Sequence, residues 1–231
     1  MSTGADAGWM NEEKAIAVAL EGNLFARLRV AYGSLSRLLR NPDDTVEVFF
    51  LGIALNGPLL PAIIGRIAAD PVGLELLTER PTIDSKTVDF DHMRALPATT
   101  LGGAYARYLD DNNLDPDLFQ APPGLPVAAR WVAQRVRQTH DIWHVLTGYR
   151  PNVPGELALQ AFTYGQLRVP SAWIVSVFGT LLKSPRSARR VWDGYKRGAA
   201  AAFLPAVRFE ELWERDLDEV RSLLGVRAAA A

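Results

Sequence analysis

Cysteine is absent from all 231 residues, which excludes disulfides, thiolate metal sites and a cysteine nucleophile. Any bound metal must therefore take nitrogen and oxygen ligands, and the lack of thiols fits a reducing compartment. Net charge is nearly absent too. Lys and Arg number 25 against 26 Asp and Glu, leaving -1 at pH 7. With no basic surplus to neutralise a phosphate backbone, nucleic acid is set aside as a partner. Long apolar runs are missing: Val46 to Leu55 and Val169 to Leu182 are the longest, short of the about 20 residues that cross a bilayer. Residues Met1 to Gly8 lack both the apolar core of a signal peptide and the arginines of a transit peptide. The chain is accordingly expected to begin in the cytoplasm, with a disordered N-terminus over 1–10 and one domain over 11–231. Internal repeats, a phosphate-binding glycine loop and a serine in an elbow context are also lacking.

What is there reads as helix. A hydrophobic content of 48% is ample for one sizeable core, and no stretch sustains the period-2 alternation of a strand. The fold class is all-α: a single-domain helical bundle. Helical patterns run from Asn11 to Leu39, with Gly22 or Gly33 as breaks, then over Val46 to Leu55 after a cap at Asp43 or Asp44, and over Leu59 to Ala69. A short helix from Asp70-Pro71 ends near Leu77, and Arg80 to Asp91 reads as a loop. Leu101 to Asp110 follows, then the stiff connector Ala121 to Pro126 and a central helix over Val127 to Thr147, closed by Gly148. Further helices are expected over Gly155 to Leu167, Ser171 to Lys183, Ser184 to Phe203 and Asp216 to Leu224. The arginines Arg27, Arg29, Arg37 and Arg40 give a solvated helix face or an attraction to acidic headgroups.

Chemistry-bearing residues concentrate in the central helix and just after it. His140 and His144 stand at i and i+4, so both imidazoles leave one helix face and can share a metal. At about 100° per residue they extend an apolar stripe that includes Val136 and Trp143, which turns them inward. Glu156, at the head of the next helix, is a candidate third ligand. Asp141 could ligate, orient a histidine or pair with Arg137 at i,i+4. The competing reading is a buried hydrogen-bonded histidine pair. The pattern is not that of a zinc peptidase, because the residue after the first histidine is Asp, one methylene shorter than the glutamate base such enzymes use. His92, beside Asp89 and Asp91, reads as a capping or surface residue. Asp111, Asp115 and Asp117 around Pro116 lack the glycine and terminal glutamate of a calcium loop.

His140, Asp141 and His144, eleven further residues, then Glu156, resemble the hallmark of a known family, the fourth "Coq" protein of coenzyme Q (ubiquinone) biosynthesis. The resemblance extends from about Leu35 to the C-terminus. It takes in Glu79-Arg80-Pro81, Leu96-Pro97, the Gly103-Ala104-Tyr105 helix with Leu109-Asp110-Asp111-Asn112, and Trp213 with Leu217-Asp218-Glu219-Val220-Arg221. Departures are Tyr149, where an aliphatic residue or methionine is common, and the stretch Leu118 to Gly124. The resemblance implies a divalent metal, usually zinc, held by His140, Asp141, His144 and Glu156, which would also be the catalytic residues. It implies oxidative decarboxylation, replacing the C1 carboxyl of a polyprenyl hydroxybenzoate by hydroxyl. It also implies a polyprenylated aromatic lipid as ligand, peripheral binding to a membrane surface, and association with other quinone-biosynthesis proteins or with a second copy as a homodimer. The absence of a transit peptide places such a protein in a bacterium, on the inner face of the cell membrane. Zinc has no redox chemistry, whereas two histidines and a carboxylate with open positions suit Fe(II) equally well; iron or magnesium are the alternatives. The apolar helices Val46 to Leu55 and Trp173 to Leu182 could wall a groove or tunnel for an isoprenoid tail, and a non-catalytic lipid-binding scaffold is the other function such a chain could have.

Overall fold

Short polar side chains start most of the helices. Asn11, Asp70, Asp89, Thr100, Asn152 and Asp216 each accept a hydrogen bond from a backbone N–H of the first turn, satisfying donors that have no partner inside the helix. The computed structural model describes residues 10–38, 40–41, 45–118, 120–121 and 124–229, and all their side chains save those of residues 12, 45, 46, 48 and 49. Of the disorder expected over 1–10, residues 1–9 lie outside the described residues, as do the caps Asp43 and Asp44 and Pro122-Pro123 of the connector, whereas Met10 is buried.

The helices are α1 (Glu12–Glu21), α2 (Leu24–Leu38), α3 (Thr45–Asn56), α4 (Leu60–Ala68), α5 (Pro71–Glu79), α6 (Phe90–Ala95), α7 (Leu101–Asp111), α8 (Val127–Thr147), α9 (Val153–Leu167), α10 (Pro170–Lys183), α11 (Ala188–Ala200) and α12 (Leu217–Leu224). No strand occurs among the described residues; the one extended pairing is an isolated antiparallel bridge between Thr100 and Asp216. The all-α, single-domain reading holds.

Local expectations hold at two places and need correction at one. The helical run from Asn11 breaks at Gly22, the first of the two expected positions, and Asn23 accepts from Ala26 N to begin a new helix. The loop expected from Arg80 to Asp91 ends early, because Asp89 caps α6, too short to show a period in the sequence. Between the helices expected over Val46 to Leu55 and Leu59 to Ala69, Asn56-Gly57-Pro58 makes a 3-10 turn (Gly57–Leu59) joining α3 to α4. The joined stretch Phe50–Ala68 is 19 residues long with a mean hydropathy of 1.5 and meets the length and composition of a membrane span, although 39% of it is buried inside the fold.

The main core gathers around α8: Trp131, Val132, Ile142, Trp143 and Leu146 pack with Tyr105 and Leu109 of α7, Leu159 and Phe162 of α9, and Leu204, Phe209 and Val220. A second cluster unites α1, α2 and α3 through Ile16, Val30, Phe50, Leu51 and Ile53, with Leu125. Helix α11 lies close along α9. A Cβ at Gly198 would stand 2.2 Å from the Phe162 carbonyl oxygen, and one at Gly194 would stand 2.3 Å from that of Ala158, so both positions demand a residue without a side chain.

Two polar devices hold α8. Buried Arg135 forms a two-pronged ion pair with Glu210 at 2.5 and 2.9 Å and donates to the Val207 carbonyl at 3.0 Å, fastening residues 204–211 to the helix. At the C-terminal end, Arg221 donates to the carbonyls of Leu146 and Val145, each at 2.9 Å, and Ala229 N donates to that of Thr147 at 2.6 Å. These groups satisfy carbonyls that the helix itself leaves without partners.

The helices expected to wall an apolar groove meet each other. Asn56 of α3 bonds Ser171 of α10 through both ends of its amide, and Val175 packs on the cluster of Phe50 and Leu51. The outer face of α10 leaves Phe178, Leu181 and Leu182 exposed. A cavity of about 850 Å³ opens elsewhere, beside α11 and α12, with Lys196, Arg197, Arg221 and Arg227 in its lining.

Candidate metal centre

The site forms where α8 ends. Gly148 takes the left-handed conformation, φ 71°, and its N–H bonds the His144 carbonyl at 2.8 Å; glycine adopts this conformation without the clash a Cβ brings. The chain then reverses through Pro151. Asn152 caps α9, and Glu156 falls in its first turn, pointing back at the helix it has just left. Tight turn chemistry thus brings a carboxylate twelve residues downstream of His144 onto the histidine pair.

Each histidine has one ring nitrogen held and the other facing Glu156. His144, buried to 1% exposure, places Nδ1 2.8 Å from the Tyr149 carbonyl oxygen. A carbonyl only accepts, so Nδ1 carries a proton there. Its Nε2 stands 2.9 Å from Glu156 Oε1, a distance at which a proton or a cation can be shared between them. His140 places Nδ1 3.3 Å from Asp141 Oδ1 and Nε2 3.8 Å from Glu156 Oε2. The two rings meet edge to face, centroids 4.9 Å apart. Ligand atoms of His140, Asp141 and His144 all lie within 4.8 Å of one another, and the two contacts of Glu156 add it to the group.

This donor set fits a divalent cation. With each Nδ1 committed to an acceptor, a neutral ring turns the Nε2 lone pair toward a carboxylate, and two acceptors face each other at 2.9 Å. Such a pair needs positive charge between its members, either a proton or a metal. Two carboxylates against two neutral imidazoles leave two negative charges, which a divalent ion balances. Burial pushes the Glu156 carboxyl up, the largest single influence, but the close contact and charge of His144, with that of His140, outweigh it and hold the group below its ordinary value despite the opposing charge of Asp141. Asp141 follows the same logic. Burial raises it, while the His140 bond and charge, Arg137 and His144 bring it down.

All four expected residues come together here. Val136, on the same stripe, is half-buried, and Trp143 is buried in the main core. His92 stands apart on α6, exposed and 3.1 Å from Glu214. Sequence reasoning missed Tyr108. Its ring stacks on that of His144, centroids 5.5 Å apart and planes at 19°, and its hydroxyl is buried without a partner. Burial, then the charges of Asp141 and Glu156, raise that hydroxyl well above the ordinary tyrosine value against an opposing effect of Arg137, so it stays protonated. The signal was present: Leu101, Tyr105 and Tyr108 recur at helical spacing along α7.

Because Gly148 precedes Tyr149, whose carbonyl holds His144 Nδ1, its conformation bears on how that ring is oriented. Gly148→Val is expected to destabilise the protein by about 1–2 kcal/mol, the cost of the left-handed conformation for a residue with a side chain. It should also weaken divalent-metal binding, as disturbing the group that orients a ligating histidine does, by roughly 10-fold or more. Thermal unfolding and metal titration of the same preparation check both; unchanged metal affinity in a destabilised variant would separate Tyr149 from the site.

Fold and site together define the class: an all-helical protein whose longest described helix ends in two histidines that share a carboxylate from the next helix. The profile of the family described as "Coenzyme Q (ubiquinone) biosynthesis protein Coq4" matches residues 18–230. The chain is 33% identical over 207 residues to the mitochondrial ubiquinone biosynthesis protein COQ4 of Arthroderma otae, covering 87% of this chain and 77% of that protein. With the mitochondrial COQ4 of Coccidioides immitis it shares 34% identity over 204 residues, 85% of this chain and 72% of the relative. A crystallised Nostoc punctiforme protein, assigned provisionally to ubiquinone biosynthesis, superimposes with a TM-score of 0.71 at 26% identity, covering 87% of this chain and 97% of the other. The chain belongs to the Coq4 family of ubiquinone biosynthesis proteins.

Proposed function

We propose that this protein replaces the C1 carboxyl of a polyprenyl hydroxybenzoate by hydroxyl in ubiquinone biosynthesis, with a divalent metal held by His140, His144 and Glu156. The observation that carries this reading is the convergence of His144 Nε2 and His140 Nε2 on the Glu156 carboxylate, at 2.9 and 3.8 Å, nitrogen and oxygen donors placed to share one cation. Family membership supplies the pathway. Asp141 fixes His140 through Nδ1 and can complete the ligand set, and the Tyr149 carbonyl fixes His144. The metal, when bound, supplies Lewis-acid stabilisation of charge on the substrate's oxygens. Zinc is the family expectation, while the same ligands take Fe(II), which can also activate dioxygen, or magnesium. The net reaction consumes the benzoic acid, dioxygen, two electrons and two protons, and yields the phenol, carbon dioxide and water, so an electron donor is required.

The protein acts in this reading on the inner face of the cell membrane, peripherally bound and associated with other quinone-biosynthesis proteins or a second copy. Exposed Leu24, Phe25, Leu28 and Tyr32 form an apolar stripe on α2 beside exposed Arg29, a pattern that suits a membrane interface with anionic lipid. The same stripe and the exposed Phe178, Leu181 and Leu182 favour the second reading, a scaffold that binds prenyl lipids without catalysis.

One assay separates them. In a host lacking its own decarboxylating protein, the wild-type chain should restore quinone synthesis, whereas Glu156→Ala, folded and membrane-bound, should accumulate the carboxylated precursor. Equal rescue by both leaves only the scaffold.

A further inference from the structure

The buried hydroxyl of Tyr108 has no partner, and the groups around it explain why. Nearly every polar group of the cluster is an acceptor, or has its proton committed: His144 Nδ1 to the Tyr149 carbonyl, His140 Nδ1 to Asp141, and Glu156 facing both rings. Tyr108 lies over the same point, stacked on His144 and within electrostatic reach of Asp141 and Glu156, yet hydrogen-bonded to neither. A buried donor left free is unfavourable, and one that overhangs a cluster of acceptors is in place for a ligand that brings an acceptor of its own.

We propose that the Tyr108 hydroxyl donates a hydrogen bond to the ring carboxylate of the substrate and so distinguishes the carboxylated lipid from an otherwise identical phenol without the carboxyl. This rests on the decarboxylation reading. A carboxylate has two oxygens to satisfy when it leaves water. A cation in the cluster can take one, but the acceptors beneath it repel the other, and Tyr108 offers that oxygen a proton. A ligand lacking the carboxyl leaves the hydroxyl as unpaired as it is without ligand, so its removal costs such a ligand nothing. Sites built around a donor discriminate in this way against analogues that lack the matching acceptor. The ring has a separate duty, since its stacking on His144 helps hold the imidazole; phenylalanine preserves that contact and deletes only the hydroxyl.

The test uses the full chain loaded with zinc, in detergent micelles, with 3-geranyl-4-hydroxybenzoate and 2-geranylphenol as probes. Calorimetry should show that Tyr108→Phe binds the benzoate about tenfold more weakly than wild type, the scale of one hydrogen bond to a charged group, while its affinities for the phenol and for zinc are unchanged. Equal loss for both probes, or no loss for either, overturns the assignment and leaves the decarboxylation reading intact. A wild type that binds the benzoate no better than the phenol overturns the substrate reading together with this inference. If Tyr108→Phe fails to fold or to hold zinc, the hydroxyl is structural and the proposal falls.

Discussion

His144→Ala is expected to lower affinity for a divalent cation by at least about 100-fold, the upper end of what removing even an outer-shell partner costs a metal site. His144 is the most buried member of the cluster, at 1% exposure, and the one nearest Glu156. Its loss removes a proposed ligand and also the ring on which Tyr108 stacks. Asp141→Asn should do less, about tenfold, because it weakens the hold on His140 Nδ1 while leaving both Nε2 atoms in place. Elemental analysis of protein purified without chelator, followed by titration of the apoprotein, measures both effects, with circular dichroism to establish that each variant is folded. A wild-type protein that carries no divalent metal and takes none up would sink the metal reading and leave a hydrogen-bonded imidazolium and carboxylate.

Glu210→Ala is the second large effect. It strips the partner from Arg135, whose side chain is only 2% exposed, and strands a guanidinium in the core with the Val207 carbonyl as its remaining acceptor. Breaking a buried pair by removing one member costs about 3–5 kcal/mol. Partial access of water to Glu210, 23% exposed, puts the expected loss near the lower end. Replacing both residues together, Arg135→Met with Glu210→Leu, should cost far less, because no charge is then left without a partner. Urea unfolding of the single and double variants decides the matter, and a loss below about 1 kcal/mol in the single variant would show that water already serves Arg135.

Much of this architecture could be read from residue order. The bounds of α8, Val127–Thr147, and its closure by Gly148 follow from periodicity and from glycine's tolerance of positive φ, and the structure reproduces them. The i,i+4 histidines and the cap that places Glu156 one turn into α9 are equally local, so the nucleus of the site was legible. What escaped depends on contacts distant in sequence. Tyr108 reaches His144 only because α7 packs on α8, and spacing along α7 says which face is buried but not what it meets. The pairing of Arg135 with Glu210 spans 75 positions, and neither residue is unusual where it stands. The close approach of α11 to α9 left a trace in Gly194 and Gly198, one turn apart, but two glycines do not name the partner helix. Short elements escaped for another reason: α6, of 6 residues, is shorter than two helical turns, and its cap is the only sign of it.

The clamp on the end of α8 has a consequence for biosynthesis. The carbonyls of Val145, Leu146 and Thr147 receive their hydrogen bonds from Arg221 and Ala229, so the helix that carries both histidines is finished by residues synthesised long after it. A nascent chain already exposing His140, His144 and Glu156 still lacks the groups that fasten the turn after Thr147, and with it the Tyr149 carbonyl that orients His144. If the cluster holds a metal as proposed, a chain stalled or clipped before residue 229 would carry His140, His144 and Glu156 without the bond from Ala229 that fastens the end of their helix.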